Sequence, residues 1–216
     1  KEVSDSLFTE GRTPIARLKQ LGLLSPRLIC VHATTLSDED IKSLAEFGCH
    51  VAHCPESNLK LASGFCETAK LDKAGVNVSL GTDGCASNND LDMISEMRTA
   101  ALLAKAVAED ASAIPAQQAL EMATINGARA LGLEACIGSL EIGKYADITA
   151  INLDALNSLP VFNPVSQLVY ATQSSQVSHV WCAGKALLQD GEFINLDVAK
   201  IKADSATWQK KIAAAL

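Results

Sequence analysis

No uninterrupted apolar run in the 216 residues approaches the roughly 18 that a membrane-crossing helix needs. No charged leader with an apolar stretch and a small-residue cleavage site opens the chain, so no secretion signal is expected. No basic block occurs: Lys+Arg is 18 against Asp+Glu 25, a net charge of −7. A nucleic-acid surface is therefore not expected. No CxxC pair occurs among the seven cysteines, at 30, 49, 54, 66, 85, 136 and 182. An odd count without that spacing argues against a disulfide framework and against a Cys-ligated structural zinc. Most of these thiols lie beside Val, Ile, Leu or Ala and read as small buried hydrophobes. A reducing compartment, the cytoplasm, is the expected location. No GxGxxG or GxxxxGK[ST] loop is present, which discounts an adenine-nucleotide-binding module. There is no internal repeat and no low-complexity segment.

What remains is an ordinary globular composition, 48% hydrophobic and 20% charged. The length suits one large domain, or one domain and part of another. Residues 1–24 read as short helices and loop, broken at Gly11-Arg12-Thr13-Pro14. Leu28 to Ala33 is an apolar run with a polar end, as in a buried parallel strand. Ser37 then caps an amphipathic helix carrying Ile41, Leu44 and Phe47, closed by Gly48. The cycle repeats. Cys49–Cys54 reads as a strand stopped by Pro55, and 64–74 as a helix stopped by Gly75. Val76–Asp83 reads as a third strand, followed by one helix over Leu91–Val107 and another over Pro115–Leu131. Successive β-then-α units imply an α/β fold with a parallel sheet, which either a doubly wound sheet or a βα barrel would fit. Three strands cannot close a barrel, which needs eight.

The texture changes at Gly138. Short β segments at 146–151, 177–182 and 185–188, with turns at Ala183-Gly184 and Asp190-Gly191, describe a small β unit. A closing helix with Trp208 follows over 197–215. The expected boundaries are 1–137, 138–196 and 197–216.

Parallel sheets gather their chemistry at the carboxyl ends of the strands. Three polar groups stand there: His32, His53 and Asp83, the last within Gly81-Thr82-Asp83-Gly84. Each alone reads as structural; three on consecutive strands read as a site. His50, at the other end of its strand, and His179, in the β unit, read as structural. An Asp carboxylate can bind a divalent metal and take a proton from bound water, and a nearby His can bond the attacking hydroxide. Catalytic zinc normally has three protein ligands. No HxH or HxxxH pair exists here to complete the set. Ser87, Asn88 and Asn89 read first as helix caps and second as a polar wall for substrate. Lys60 reads as a solvated charge.

Four segments occur in order: Val31-His32-Ala33-Thr34-Thr35-Leu36, His53-Cys54-Pro55-Glu56-Ser57-Asn58-Leu59-Lys60-Leu61, Gly81 to Asn89, and Ile137 to Asp147. Glu96-Met97-Arg98 and the Ala123–Gly132 run accompany them. Together they resemble the amidohydrolase superfamily, in the branch of 5′-methylthioadenosine/S-adenosylhomocysteine deaminases and related chlorotriazine hydrolases. The resemblance covers nearly the whole chain. It implies the C-terminal part of a (β/α)8 barrel, with the three strands as strands six to eight, plus part of a small β-sandwich. It implies one divalent metal, Zn²⁺ or in some members Fe²⁺. Asp83 maps to the one metal ligand present and to a catalytic role. His32 maps to the catalytic His that orients and deprotonates water. His53 maps to a strand-seven His near the substrate pocket; Asp83, Ser87 and Asn88 are the other residues expected on the substrate side.

The remaining ligands, and the Glu that protonates the purine ring, would lie upstream of Lys1. The chain therefore reads as a carboxyl-terminal half, inactive in isolation. The implied reaction is hydrolytic deamination of S-adenosylhomocysteine or 5′-methylthioadenosine to the inosyl product and ammonia. Expected partners are the purine nucleoside, the missing N-terminal half and further copies in a homo-oligomer. Open alternatives are a chlorotriazine, guanine or pterin amidohydrolase, or a non-catalytic fragment or subunit.

Overall fold

The computed structural model describes residues 2–215; Lys1 and Leu216, the outermost positions of the first and last expected segments, lie outside the described residues. Two short helices open the chain, α1 (Glu2–Glu10) and α2 (Pro14–Gln20). Thr13 caps α2 by accepting from the Ala16 N–H at 3.1 Å, and Pro14 occupies the first turn, where a missing N–H costs nothing.

Strand β1 (Ile29–Val31) is followed by α3 (Asp38–Glu46), and β2 (His50–His53) by α4 (Pro55–Lys60) and α5 (Thr68–Lys73). Strand β3 (Asn77–Leu80) leads to α6 (Met93–Ala108), α7 (Ala116–Met122) and α8 (Ile125–Leu131). The three strands pair in parallel in the order β1-β2-β3, with Cys30 beside Val51 and Val51 beside Val78. That register sends the carboxyl ends of all three to one side. Ser37 caps α3 as expected, in a reciprocal capping box with Asp40. Leu44, Val51, Leu71, Ala101, Ala119 and Met122 form one buried core between strands and helices.

Three readings of this region change. Pro55 ends β2 but also begins α4, whose first turn tolerates it. The helix expected over 64–74 starts only at Thr68, because Gly64 at φ +102° holds the preceding segment out of helix. The single helix expected over 115–131 is two, broken where Thr124 takes φ −131° and ψ −96°.

Strand β4 (Ile148–Ile151) precedes α9 (Pro164–Tyr170), which periodicity did not disclose. Asn163 caps it, accepting from the Ser166 N–H at 3.0 Å. Then come β5 (Val177–Cys182), β6 (Lys185–Gln189), β7 (Glu192–Phe193) and α10 (Val198–Ala213). The strands β4-β5-β6-β7 form an antiparallel sheet. Its two turns are those expected. Ala183 and Gly184 lie at φ +49° and +76°, and Asp190 and Gly191 at +50° and +82°, as a two-residue hairpin turn requires. His179 stacks on Trp181 at 5.2 Å and 9°, a structural role.

The chain packs as two compact units, residues up to Lys144 with Leu153–Ser174, and Tyr145–Asn152 with Ser175 onward. The boundaries read at 137/138 and 196/197 therefore move. Segment 153–174 joins the first unit because Val169 is fully buried in its core and Arg98 on α6 donates to the carbonyls of Val169 and Thr172 at the end of α9. Helix α10 belongs with the second unit. Among the described residues no helix is long and apolar enough to cross a membrane.

Gly138 shows how closely the first unit is packed. A Cβ there would lie 2.6 Å from Ala128 Cβ and 3.0 Å from Ile125 Cα, at φ +87°. Gly132 also has positive φ, +67°, but open space around it. Gly138→Ala is expected to cost about 2–4 kcal/mol, from overpacking and left-handed strain together, and Gly132→Ala about 1 kcal/mol. Urea unfolding of the two variants checks this; equal losses would mean that packing at Gly138 is slack.

Candidate functional site

The parallel register brings the three expected residues to one end of the sheet. His32 follows β1 and still donates its N–H to Ala52 O at 3.0 Å; the chain then turns through φ +70° at His32 and +51° at Ala33. His53 is the last residue of β2. Asp83 lies three residues past β3, at φ +63°. Left-handed backbone at non-glycine residues is uncommon and concentrates at functional positions. Here it aims two side chains at each other: His32 Nε2 stands 3.8 Å from Asp83 Oδ2. That gap is too long for a direct hydrogen bond. One oxygen atom can bond to both groups across it, since two legs of about 2.8 Å span the distance.

Asp83 is held by its neighbours. Ser57 Oγ, from α4, and Ser87 Oγ, from the loop before α6, each donate to Asp83 Oδ2 at 2.6 Å. The Ser57 hydroxyl first, then the Ser87 hydroxyl and the Gly84 N–H, with a smaller effect of His32, hold this carboxyl down at about 2. It is a carboxylate at any physiological pH. His53 differs. It is 1% exposed and neither ring nitrogen has a hydrogen-bond partner among the described residues. Burial first, then the proximity of His32, push it down to about 4, so it is neutral. The Nδ1 of His32 and the side-chain amide of Asn58 are likewise buried and unpartnered among the described residues. Such groups are rare in native structures and mark places where another polar group belongs.

The remaining expected residues divide. Ser87 reaches the site but caps nothing: the N-cap of α6 is Asp92, which accepts from Ile94 N at 2.8 Å. Asn88 is not at the mouth. It is 4% exposed, its amide donates to Glu96 Oε1 and its Oδ1 accepts from Leu91 N. Lys60 is exposed, as a solvated charge would be, but it has partners: its Nζ donates to Ala86 O at 2.9 Å and Asn89 Oδ1 at 2.6 Å, tying α4 to the same loop. His50 lies at the far end, bonded to Pro26 O and Asn77, as expected of a structural residue. A depression of about 330 Å³ lies at that far end too, lined by Asn77, Gln118, Glu121 and Asn126, and holds none of the three strand-end groups.

Sequence reasoning missed Ser57, Glu56 and Glu96. Glu96 on α6 is 0% exposed. Burial pushes it up to about 7. Glu56 accepts from the hydroxyls of Ser95 and Thr99 at 3.1 and 2.8 Å. Each had a signal that was not read as a site: Glu56 and Ser57 stand in the segment that begins at His53, and Glu96 in the Glu96-Met97-Arg98 run. Burial holds the Cys30 and Cys54 thiols at about 11 and Cys66 at about 12, so these behave as apolar groups, as expected.

Do these residues hold a metal? Among the described residues no three His, Cys, Asp or Glu side chains converge as a metal group. Asp83 and His32 make two, and one Asp83 oxygen already accepts two hydroxyls. The set does not fit a self-contained site of three protein ligands.

A model of the amidohydrolase family matches residues 2–187. A protein of Teredinibacter turnerae named 5-methylthioadenosine/S-adenosylhomocysteine deaminase is 53% identical over 214 residues, 99% of this chain and 48% of that protein. A solved adenosine deaminase from Xanthomonas campestris, with bound zinc, superposes with a TM-score of 0.96 at 52% identity, over 99% of this chain and 48% of that one. Atrazine chlorohydrolase TrzN from Arthrobacter aurescens, complexed with zinc, gives 0.89 at 28% identity, over 95% and 46%. The chain spans about half the length of the curated relatives it matches.

Two buried groups make opposite contributions to stability. His53 titrates at about 4 when folded against 6.5 ordinarily, so between these values the unfolded chain binds the extra proton and stability rises with pH. Glu96 titrates at about 7 when folded against 4.5, so there the folded chain holds the extra proton and stability falls as pH rises. The two slopes oppose each other from about pH 4.5 to 6.5. In His53→Gln the Glu96 slope stands alone, and stability is expected to fall by about 3 kcal/mol from pH 4.5 to 7 relative to wild type. Urea unfolding across that range decides it; a variant curve parallel to wild type would remove His53 from the balance.

Proposed function

The chain belongs to the amidohydrolase family, and from that membership we propose that it forms the carboxylate-bearing half of a hydrolytic deaminase acting on an adenosine-type nucleoside. The observation that carries the reading is the facing pair of His32 and Asp83, with Asp83 fixed as an anion by two hydroxyls. S-adenosylhomocysteine and 5′-methylthioadenosine are the proposed substrates, on the strength of 53% identity to a deaminase of that name. The overall change is exchange of the ring amino group for oxygen from water, with release of ammonia.

In this reading β1, β2 and β3 are strands six to eight of a barrel, and the antiparallel sheet is part of a β-sandwich. Two features support it. Strands β1 and β3 each pair on one side only in the three-stranded sheet, and Val31 at the edge is exposed. The orphaned nitrogens of His32 and His53 also lack partners that further strands could bring. Asp83 would serve as one ligand of a divalent ion, zinc in the solved relatives named above, with the other ligands supplied by the part of the enzyme that those longer relatives possess. The chain alone is inactive. Further copies in a homo-oligomer and a cytoplasmic location belong to the same proposal.

The residues divide the work. His32 receives a proton at Nε2 from a water placed between it and Asp83. For that, Nδ1 must carry the ring's own proton, and an acceptor for it is needed. Asp83 orients the same water and stabilises the imidazolium once formed. His53, neutral and buried, faces the ring of the substrate with a donor or an acceptor as its tautomer dictates. Ser87 reaches the site through Asp83; a substrate contact for Asn88 finds no support in its burial.

The test joins this chain to the half that its relatives possess and follows ammonia release from 5′-methylthioadenosine, S-adenosylhomocysteine and a chlorotriazine. Nucleoside deamination is expected, and chloride release instead would favour the triazine reading. Asp83→Asn is expected to lose bound metal and at least ~10³-fold in turnover, and His32→Ala to keep the metal and lose about 10²–10⁴-fold. A fully active, metal-replete Asp83→Asn enzyme would overturn the proposal. Metal analysis of the 216-residue chain alone is expected to find no stoichiometric ion.

A further inference from the structure

Glu96 forms no hydrogen bond to His32 or Asp83 among the described residues, yet both hydroxyls on Asp83 trace back to it. Its Oε2 accepts from the backbone N–H of Glu56 at 3.3 Å, and its Oε1 accepts from the side-chain amide of Asn88. Glu56 is the residue before Ser57, and Asn88 the residue after Ser87. Ser57 and Ser87 are the two donors to Asp83 Oδ2, each at 2.6 Å. Ionised, as it is above about pH 7, the one acid on α6 thus pins the start of α4 with one oxygen and the loop before α6 with the other. The hydroxyls one residue away on each arm meet at a single atom.

The surroundings reinforce both arms. On the α4 side, the Glu56 carboxylate accepts from Ser95 and Thr99, also on α6. On the loop side, Asn88 Oδ1 accepts from Leu91 N at 3.3 Å, which fixes the amide so that its NH₂ faces Glu96. A fully buried acid is a costly way to join two elements, because desolvation opposes its charge. An apolar side chain would serve mere packing better. What a carboxylate adds is two acceptors at fixed separation and angle, each taking a donor from a different segment.

We propose that Glu96 is a positioning residue, which sets the approach of Ser57 and Ser87 so that both bind one oxygen of Asp83 and neither binds the other. The second oxygen is left clear of both hydroxyls, while the one that takes them also stands 3.8 Å from His32 Nε2. The consequence for a reaction rests on the hydrolase reading above; the geometry itself does not.

Crystal structures of variants of the 216-residue chain test it. Glu96→Gln sets an amide against the amide of Asn88 or the N–H of Glu56. The Ser57–Asp83 and Ser87–Asp83 bonds are then expected to open beyond hydrogen-bond reach, about 3.5 Å. The exchange Glu96→Gln with Asn88→Asp reverses the donor and acceptor on the loop arm and leaves an acceptor for Glu56 N–H. It is expected to restore both bonds, a rescue that a merely structural side chain would not give. Asn88→Ala removes only the loop arm, so the Ser87 bond is expected to open and the Ser57 bond to stay; this variant decides the matter if Glu96→Gln does not fold.

Either serine bond surviving its predicted loss, or a double exchange that folds without restoring the bonds, overturns the proposal. In the completed enzyme Glu96→Gln is expected to lower kcat about tenfold or more at unchanged KM, with recovery in the double exchange. Intact serine bonds in Glu96→Gln defeat this inference alone. A completed wild-type enzyme without deaminase activity defeats the hydrolase reading alone.

Discussion

Ser57 and Ser87 donate to the same oxygen of Asp83 at 2.6 Å, and much of the first unit is arranged so that they can. Asp83 needs left-handed backbone to turn back after β3. Ser57 needs α4 to begin directly at the end of β2, which Pro55 allows by fitting a first helical turn. Ser87 needs the loop before α6 held against α4, which Lys60 does by bonding Ala86 O and Asn89. Without these supports the carboxylate would be a mobile side chain on a loop. Beneath them lies the parallel register of β1, β2 and β3, which alone puts His32, His53 and Asp83 at one end.

The buried polar groups divide by how they are satisfied. At the far end of the sheet, His50, Asn77 and Asn126 complete one another, with Asn77 donating to His50 Nδ1 and Asn126 donating to Val78 O. That end is finished. At the carboxyl end His53, Asn58 and one nitrogen of His32 find no partner among the described residues. The asymmetry is informative because orphaned buried donors and acceptors each cost about 1–3 kcal/mol. A fold that satisfies one end and leaves the other open is one whose open end receives something else.

Much of this was legible in the residues. The β-then-α alternation, Ser37 as a cap and the two hairpin turns follow local rules that leave clear traces, and the structure has all of them. His32 and Asp83 were visible because polar residues ending apolar runs stand out. The misreadings share a cause, tertiary context. The break at Thr124 has no glycine or proline to announce it, and α9 is joined to the core by Val169 and by Arg98, which comes from 71 positions earlier. Asn88 looked like a binding residue from its loop, but burial against Glu96 can be known only once α6 is placed. Glu96 lies in an ordinary helical pattern, and nothing in spacing marks an acid that points inward.

The charges around Asp83 bear on what the site accommodates. Asp83, Glu56 and Glu96 all gather near the carboxyl end of β2, and their partners are hydroxyls, amides and N–H groups. No lysine or arginine forms an ion pair with any of them among the described residues, and the Lys60 ammonium on α4 bonds a carbonyl and an amide instead. Neutral donors stabilise a carboxylate without cancelling its charge. An Arg or Lys in the same place would neutralise the field and repel a cation. Burial reduces the charge on Glu96, which lessens repulsion within the group while Asp83 stays fully ionised. On the proposed reading this leaves one strong anionic arm, aimed at the mouth and uncompensated, which suits it to share a divalent cation with imidazoles from another segment.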